Sequence, residues 1–307
     1  MRASLSLEPP PPMSVSRTVQ SDLLLVLVTL LAAAGWMFSK EALVGLTPLL
    51  FIGVRFFSAG LILGLVGGRS LKALSIGDWH RALLTGLAMA TAMSFWIMGL
   101  SLATNLGIGA FIASLGVVLT PLMARLLFGV RTAPTTWVAV GTALVGLALL
   151  RLEGGFSLSA SDGFFLAAAV AFSVHFNLNS RFAARIPALP LTAIQLGVTG
   201  LASLTLFSFL EPAPVWPGWS ILGWLTASIL LGTCLRFFFQ VKAQGMAQVS
   251  HAAVIMTLEP VWTALLGSLW FAERMSPLQL LGCCIIFGAL LISRWRLLFR
   301  RPIDGQR

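Results

Sequence analysis

Hydrophobic positions in this chain run in long, nearly uninterrupted blocks instead of at the spacing of a one-sided helix or strand. Ten blocks, at residues 23–41, 48–66, 82–100, 107–127, 136–151, 163–181, 189–209, 220–240, 252–270 and 277–294, come close to the ~20 apolar residues that a helix needs to cross a hydrocarbon core of ~30 Å. Polar residues collect in short connections, none of which has the length of a separate soluble domain. Lipid offers no hydrogen-bond partners, so such blocks are expected as helices that pair their own backbone groups. The pattern predicts an all-α integral membrane protein with ten transmembrane helices.

Composition narrows the class. Hydrophobic residues make up 58% and charged ones 10%, with a mean hydropathy of +0.94, whereas soluble domains carry about 25% charge. The short connections, with no room for a separate soluble domain, argue against a receptor, a membrane-anchored enzyme and a nucleic-acid-binding protein. The formal net charge of +10 follows membrane topology. With the N-terminus inside, one side collects Arg2, Arg17, Arg69, Lys72, Arg81, Arg125, Arg131, Arg181, Arg185, Lys242, Arg294, Arg296, Arg300, Arg301 and Arg307. The other keeps Lys40, Arg151 and Arg274, so both termini are expected in the cytoplasm. Arg17 followed by the run from Leu23 to Ala34 has the outline of a signal peptide. The apolar stretch continues to Phe38, however, and reads as a first span. Residues 1–20, with prolines at 9–12, read as a disordered cytoplasmic tail and 295–307 as a basic one. Cys234, Cys283 and Cys284 fall within spans without metal-ligand spacing, and neither a metal nor an organic cofactor is expected.

The second half of the chain repeats the first. LAAAGWMFS at 31–39 returns as LAAAVAFS at 166–173, and LTPLMARLLFG at 119–129 as LEPVWTALLGS at 258–268, which aligns Pro121 with Pro260. The repeats are placed at 21–152 and 161–294, with five helices each. An odd number of crossings inverts the second half relative to the first, the usual architecture of alternating-access carriers, whose sites lie near the midplane beside interrupted helices. Pro121 and Pro260 are the expected interruptions, because each removes an amide hydrogen.

These residues resemble the EamA-type transporters of the drug/metabolite transporter superfamily across residues 23–294. The resemblance rests on GWMFSK at 35–40, Pro48 followed by Arg55, the stretch from Asn105 to Pro121, and above all residues 231–292, with LEP at 258–260 and Glu273 before the last helix. Arg131 departs from it, standing where the first repeat usually ends its fourth helix with a glutamate. The resemblance implies a secondary carrier of the bacterial inner membrane, in many cases an exporter of amino acids or other small metabolites. No G-x-x-x-x-G-K-[ST] loop is present for a nucleotide.

Ionisable residues at membrane depth cost a few kcal/mol each and mark functional sites by default. From the rise per residue, His175 lies about 4–5 Å to the cytoplasmic side of its span centre, Arg236 about 8–9 Å and Glu259 about 3 Å. Gln240 shares a face with Arg236, and Asn177 and Asn179 continue the polar line. A structural reading competes with the functional one: Arg236 and Glu259 as a buried ion pair, His175 as a satisfied core residue. Arg55 is expected to face a loop carbonyl. Among the aromatics, Trp79, Trp137, Trp216, Trp219 and Trp295 read as interfacial anchors, whereas Trp36, Phe95, Trp96 and Trp262 lie deeper and are expected to line an amphipathic cavity. Gly60, Gly64 and Gly68 form a ridge for close helix contact, either within the bundle or between two protomers of a homodimer.

The expected substrate-binding set is therefore Trp36, Phe95, Trp96, His175, Asn179, Arg236, Gln240 and Glu259. The function is an exporter of a small metabolite, driven by a proton or substrate gradient. Its partners are a small-molecule substrate and the lipid bilayer, with no nucleic acid. Uptake of a sugar or nucleoside fits the same polar layer, and a non-transporting scaffold is the alternative of another class. An intramembrane protease is excluded, since no G-x-S-G or G-x-G-D stretch occurs and Asp22, Asp78, Asp162 and Asp304 sit at span ends or in tails.

Overall fold

A computed structural model describes residues 15–129, 134–152, 159–246 and 255–293, and the described elements are helical. In chain order they are α1 (Val15–Ala42), α2 (Pro48–Val66), the short α3 (Gly68–Lys72), α4 (Ile76–Ser101), α5 (Leu106–Phe128), α6 (Pro134–Leu152), α7 (Ala160–Ala183), α8 (Ala188–Leu210), α9 (Trp219–Ile229), α10 (Arg236–Met246), α11 (Glu259–Phe271) and α12 (Pro277–Ser293). A π-helical turn, Leu230–Leu235, joins α9 to α10. Seven helices among the described residues are long and apolar enough to cross a membrane, with α9, the π-turn and α10 counted as one. The apolar stretches of α6 and α12 are shorter. The ninth block does not form one helix over its described part: Thr257 and Leu258 make a turn, and α11 begins at Glu259. At the other end of the chain, α1 starts at Val15, inside the segment expected to be disordered.

Local chemistry sets the helix starts. Ser75 accepts from the Asp78 amide at 3.1 Å, Asn105 from the Ile108 amide at 3.0 Å, and Ser159 forms a capping box with Asp162. Each satisfies an amide that the first turn leaves open. Carboxylates from distant loops add to this, with Glu211 accepting from the Leu49 and Leu50 amides of α2 at 2.8 and 3.0 Å.

Packing pairs each half with the other. α2 lies against α8, α6 against α12 and α5 against α11; α1 packs on the α9–α10 unit as α7 packs on α4. Exchanging the two sets of five helices maps this pattern onto itself. Small residues permit the closest approaches. A Cβ on Gly60 would sit 2.6 Å from the Gly197 amide nitrogen, and one on Gly200 2.2 Å from that of Phe57. The part of the glycine ridge at Gly60 is therefore spent inside the bundle, between α2 and α8. Gly64 and Gly68 meet little or nothing.

Candidate functional site

A cleft opens between the two halves. α1 contributes Gly35 and Trp36, α2 Arg55 and Phe56, α4 Met93 and Trp96, and α5 one face that includes Ala110, Ala113, Val117 and Thr120. From the second half come Phe172 and His175 of α7, Gly232 of the π-turn, Arg236 and Gln240 of α10, and Glu259 and Pro260 of α11. The wall is largely apolar and aromatic with a few convergent polar groups, the usual make-up of a small-molecule site.

Both charged residues of the second half stand where helical regularity breaks. Arg236 follows the π-turn directly, and Glu259 opens α11 with Pro260 in the first turn, where the positive end of the helix dipole favours a carboxylate. Arg236 Nη2 lies 3.6 Å from Glu259 Oε2, with the side chains 13% and 20% exposed. The other Glu259 oxygen accepts from Trp36 Nε1 at 3.1 Å, which joins the two halves across the cleft. Arg236 also packs over the Phe237 ring, 4.2 Å from its centroid. Trp36 meets Trp96 edge to face at 4.9 Å and Phe165 at 5.6 Å, a buried aromatic layer on one side of the cleft. Beyond it, at the end bearing the α4–α5 loop, Lys40 Nζ donates to the Ala103 carbonyl at 2.6 Å and Glu273 accepts from the Leu106 amide at 2.9 Å. Burial pushes the Glu273 carboxyl up from its ordinary pKa, against the opposing pull of the Leu106 and Gly107 amides and of Lys40.

Six of the eight expected binding residues line this one cleft: Trp36, Trp96, His175, Arg236, Gln240 and Glu259. Phe95 does not, because it is turned outward, 37% exposed and packed on Phe164. Asn179 does not either: it is buried and donates to Gln244 within the bundle. Trp262 is also off the wall. His175 is tied to Gln195, with 3.0 Å between Nε2 and Oε1. Of the two prolines, only Pro260 stands at a helix break. α5 runs through Pro121 without interruption, and Asn177 of α7 donates to the carbonyl of Thr120, the residue before that proline, at 2.9 Å. Arg131 and Trp295 lie outside the described residues.

Sequence reasoning missed Arg55 as part of the wall. Its Nε donates to Thr233 Oγ1 at 2.5 Å, Nη1 to Ser39 Oγ at 2.8 Å and Nη2 to the Gly232 carbonyl at 2.9 Å. The carbonyl belongs to the π-turn of a span, not to a loop. Gly232 was the one sequence signal: a Cβ there would lie 3.0 Å from Arg55 Nη2 and 3.3 Å from the Gly35 Cα.

A crystal structure of a protein with 22% identity superposes over 92% of this chain and 99% of its own with a TM-score of 0.67, a likeness of fold. An uncharacterized transporter of Archaeoglobus fulgidus is 26% identical over 91% of this chain and 87% of its own length. The uncharacterized inner membrane transporter YedA of Escherichia coli is 26% identical over 82% and 83%. The sequence model of the EamA-like transporter family matches residues 20–152 and again 160–295. With most of its length matched in this way, the chain belongs to the EamA-like transporter family.

Proposed function

We propose that this chain is a ten-span carrier built of two inverted repeats, which exports a small amphipathic metabolite, an amino acid or a related compound, across the inner membrane by alternating access. The observation that carries this reading is the cleft itself. Both halves build it, and its ion pair stands at two helix breaks, the arrangement expected of a carrier site. The driving force is a gradient of the substrate or of protons, without ATP. Purified protein in liposomes preloaded with substrate is expected to take up labelled substrate by counterflow in the absence of nucleotide. A requirement for ATP hydrolysis by this chain would overturn the reading.

The proposed topology places both termini and the 184–187 connection in the cytoplasm and the 211–218 connection outside. Arg185 and Ala213 are both exposed. With Cys284, the exposed native thiol, replaced by serine, Ala213→Cys is expected to react with an impermeant maleimide on intact cells and Arg185→Cys only after permeabilisation. The reverse labelling would invert the assignment.

A further inference from the structure

The cleft wall holds more positive than negative charge at a depth where charge is costly. Arg55 and Arg236 line the cleft together with Glu259, the only carboxylate among the described lining residues. With His175 counted as neutral, one positive charge is left over. The charge of Arg55 is spread over three close acceptors. That of Arg236 is not. Its distance to Glu259, 3.6 Å, exceeds a hydrogen bond, and its Nε has no hydrogen-bond partner among the described residues. The other Glu259 oxygen is held by the Trp36 indole. Four residues along α10, on the same face, buried Gln240 carries a side-chain carbonyl that likewise has no hydrogen-bond partner among the described residues. Unpaired polar groups in a desolvated wall are expensive, and the planar fork of a guanidinium matches the geometry of a carboxylate or a phosphate. The rest of the wall offers the flat apolar surfaces of Trp36, Trp96 and Phe172.

From this juxtaposition we infer that the cleft recognises an organic monoanion. Its carboxylate meets the guanidinium of Arg236, a polar group lies beside Gln240, and a flat apolar body lies among Trp36, Trp96 and Phe172. A monoanion brings the wall to neutrality. A zwitterion leaves the surplus charge in place, and an amine adds to it with Glu259 as its one counter-ion. The inference narrows the amphipathic solute proposed above to a carboxylate without an ammonium group, and it rests on the carrier function only for what happens after binding, since recognition itself is a property of the cleft.

The test is thermal unfolding of the purified full-length protein in detergent, titrated with phenylacetate, indoleacetate, phenylacetamide, phenethylamine and phenylalanine, because a ligand that binds the folded state raises Tm with its concentration. The two carboxylates are expected to raise Tm. Phenylalanine is expected to need about tenfold more for the same shift, and the amide and the amine to give none. Arg236→Gln combined with Glu259→Gln leaves the net charge of the wall unchanged and is expected to abolish the response to carboxylates. No shift with either carboxylate, an equal or larger shift with the amide or amine, or a response surviving in the double variant overturns the assignment. The ligand series on the unmutated protein decides the matter alone should the variant not fold. Carboxylates that stabilise the protein but are not carried in liposomes would refute the carrier reading and leave the anion site standing.

Discussion

Joint substitution of Glu259 by glutamine and Arg236 by methionine is expected to yield a stably folded protein that no longer transports. Either change alone leaves a charge in the cleft wall without its counterpart. For a fully buried pair, removing one partner costs about 3–5 kcal/mol. At 13% and 20% exposure, with the two charges 3.6 Å apart, about 1–3 kcal/mol is expected instead. Removing both charges takes away the imbalance, and the glutamine retains a carbonyl oxygen for the Trp36 indole, which now bonds Glu259 at 3.1 Å. Stability should therefore return in the double variant. If the pair served only to hold α10 on α11, transport would return with it. A recognition or coupling role predicts otherwise, because the solute or the transported proton has lost the group it meets. Denaturant titration and liposome flux on the two single variants and the double one separate the cases, and near-normal flux in a well-folded double variant would refute the role.

The sequence shows the lipid's demands most plainly. Blocks such as 189–209 and 107–127 are apolar on every side because one face meets lipid and the other the packed interior, and α8 and α5 run over Ala188–Leu210 and Leu106–Phe128. The same uniformity hides rotation about the helix axis. Depth along a span follows from the rise per residue, which puts His175, Arg236 and Glu259 in one layer, and they line one cleft. Which way a side chain turns does not follow, and Phe95, next to the lining residue Trp96, points outward. Asn179 lies one turn beyond His175 on α7, yet it is taken up by Gln244, a partner 65 positions away that no local pattern connects to it. The π-turn at Leu230–Leu235 is equally silent in sequence. Its residues, LLGTCL, carry no proline, and the turn becomes intelligible only when Arg55 and Gly35 are seen against Gly232.

Arg55 is expected to tolerate methionine better than lysine, although lysine keeps its charge. The guanidinium is buried and has no carboxylate in contact among the described residues. Three acceptors hold it instead, on α1 and in the π-turn, with the Phe51 and Phe56 rings 5.6 and 5.4 Å away. Hydrogen bonds to a charged donor contribute about 1.5–3 kcal/mol each. Against them stands the desolvation of the charge, which is still several kcal/mol in a relaxed protein. Methionine forfeits the three bonds but also removes that penalty. Ser39 and Thr233 keep acceptors for their own hydroxyl hydrogens in the carbonyls of Gly35 and Ser228, so the main orphan is the Gly232 carbonyl, and a net loss of about 2–4 kcal/mol follows. Lysine carries the full penalty on a compact ammonium that cannot reproduce the planar three-way fork, so it loses bonds without recovering desolvation. Unfolding of the two variants by sodium dodecyl sulfate titration is expected to rank wild type above Arg55→Met and that above Arg55→Lys. If Arg55→Lys matched the wild type, a positive charge at this position would suffice, and the bracket that ties α1 and α2 to the π-turn beside Arg236 would not depend on the guanidinium.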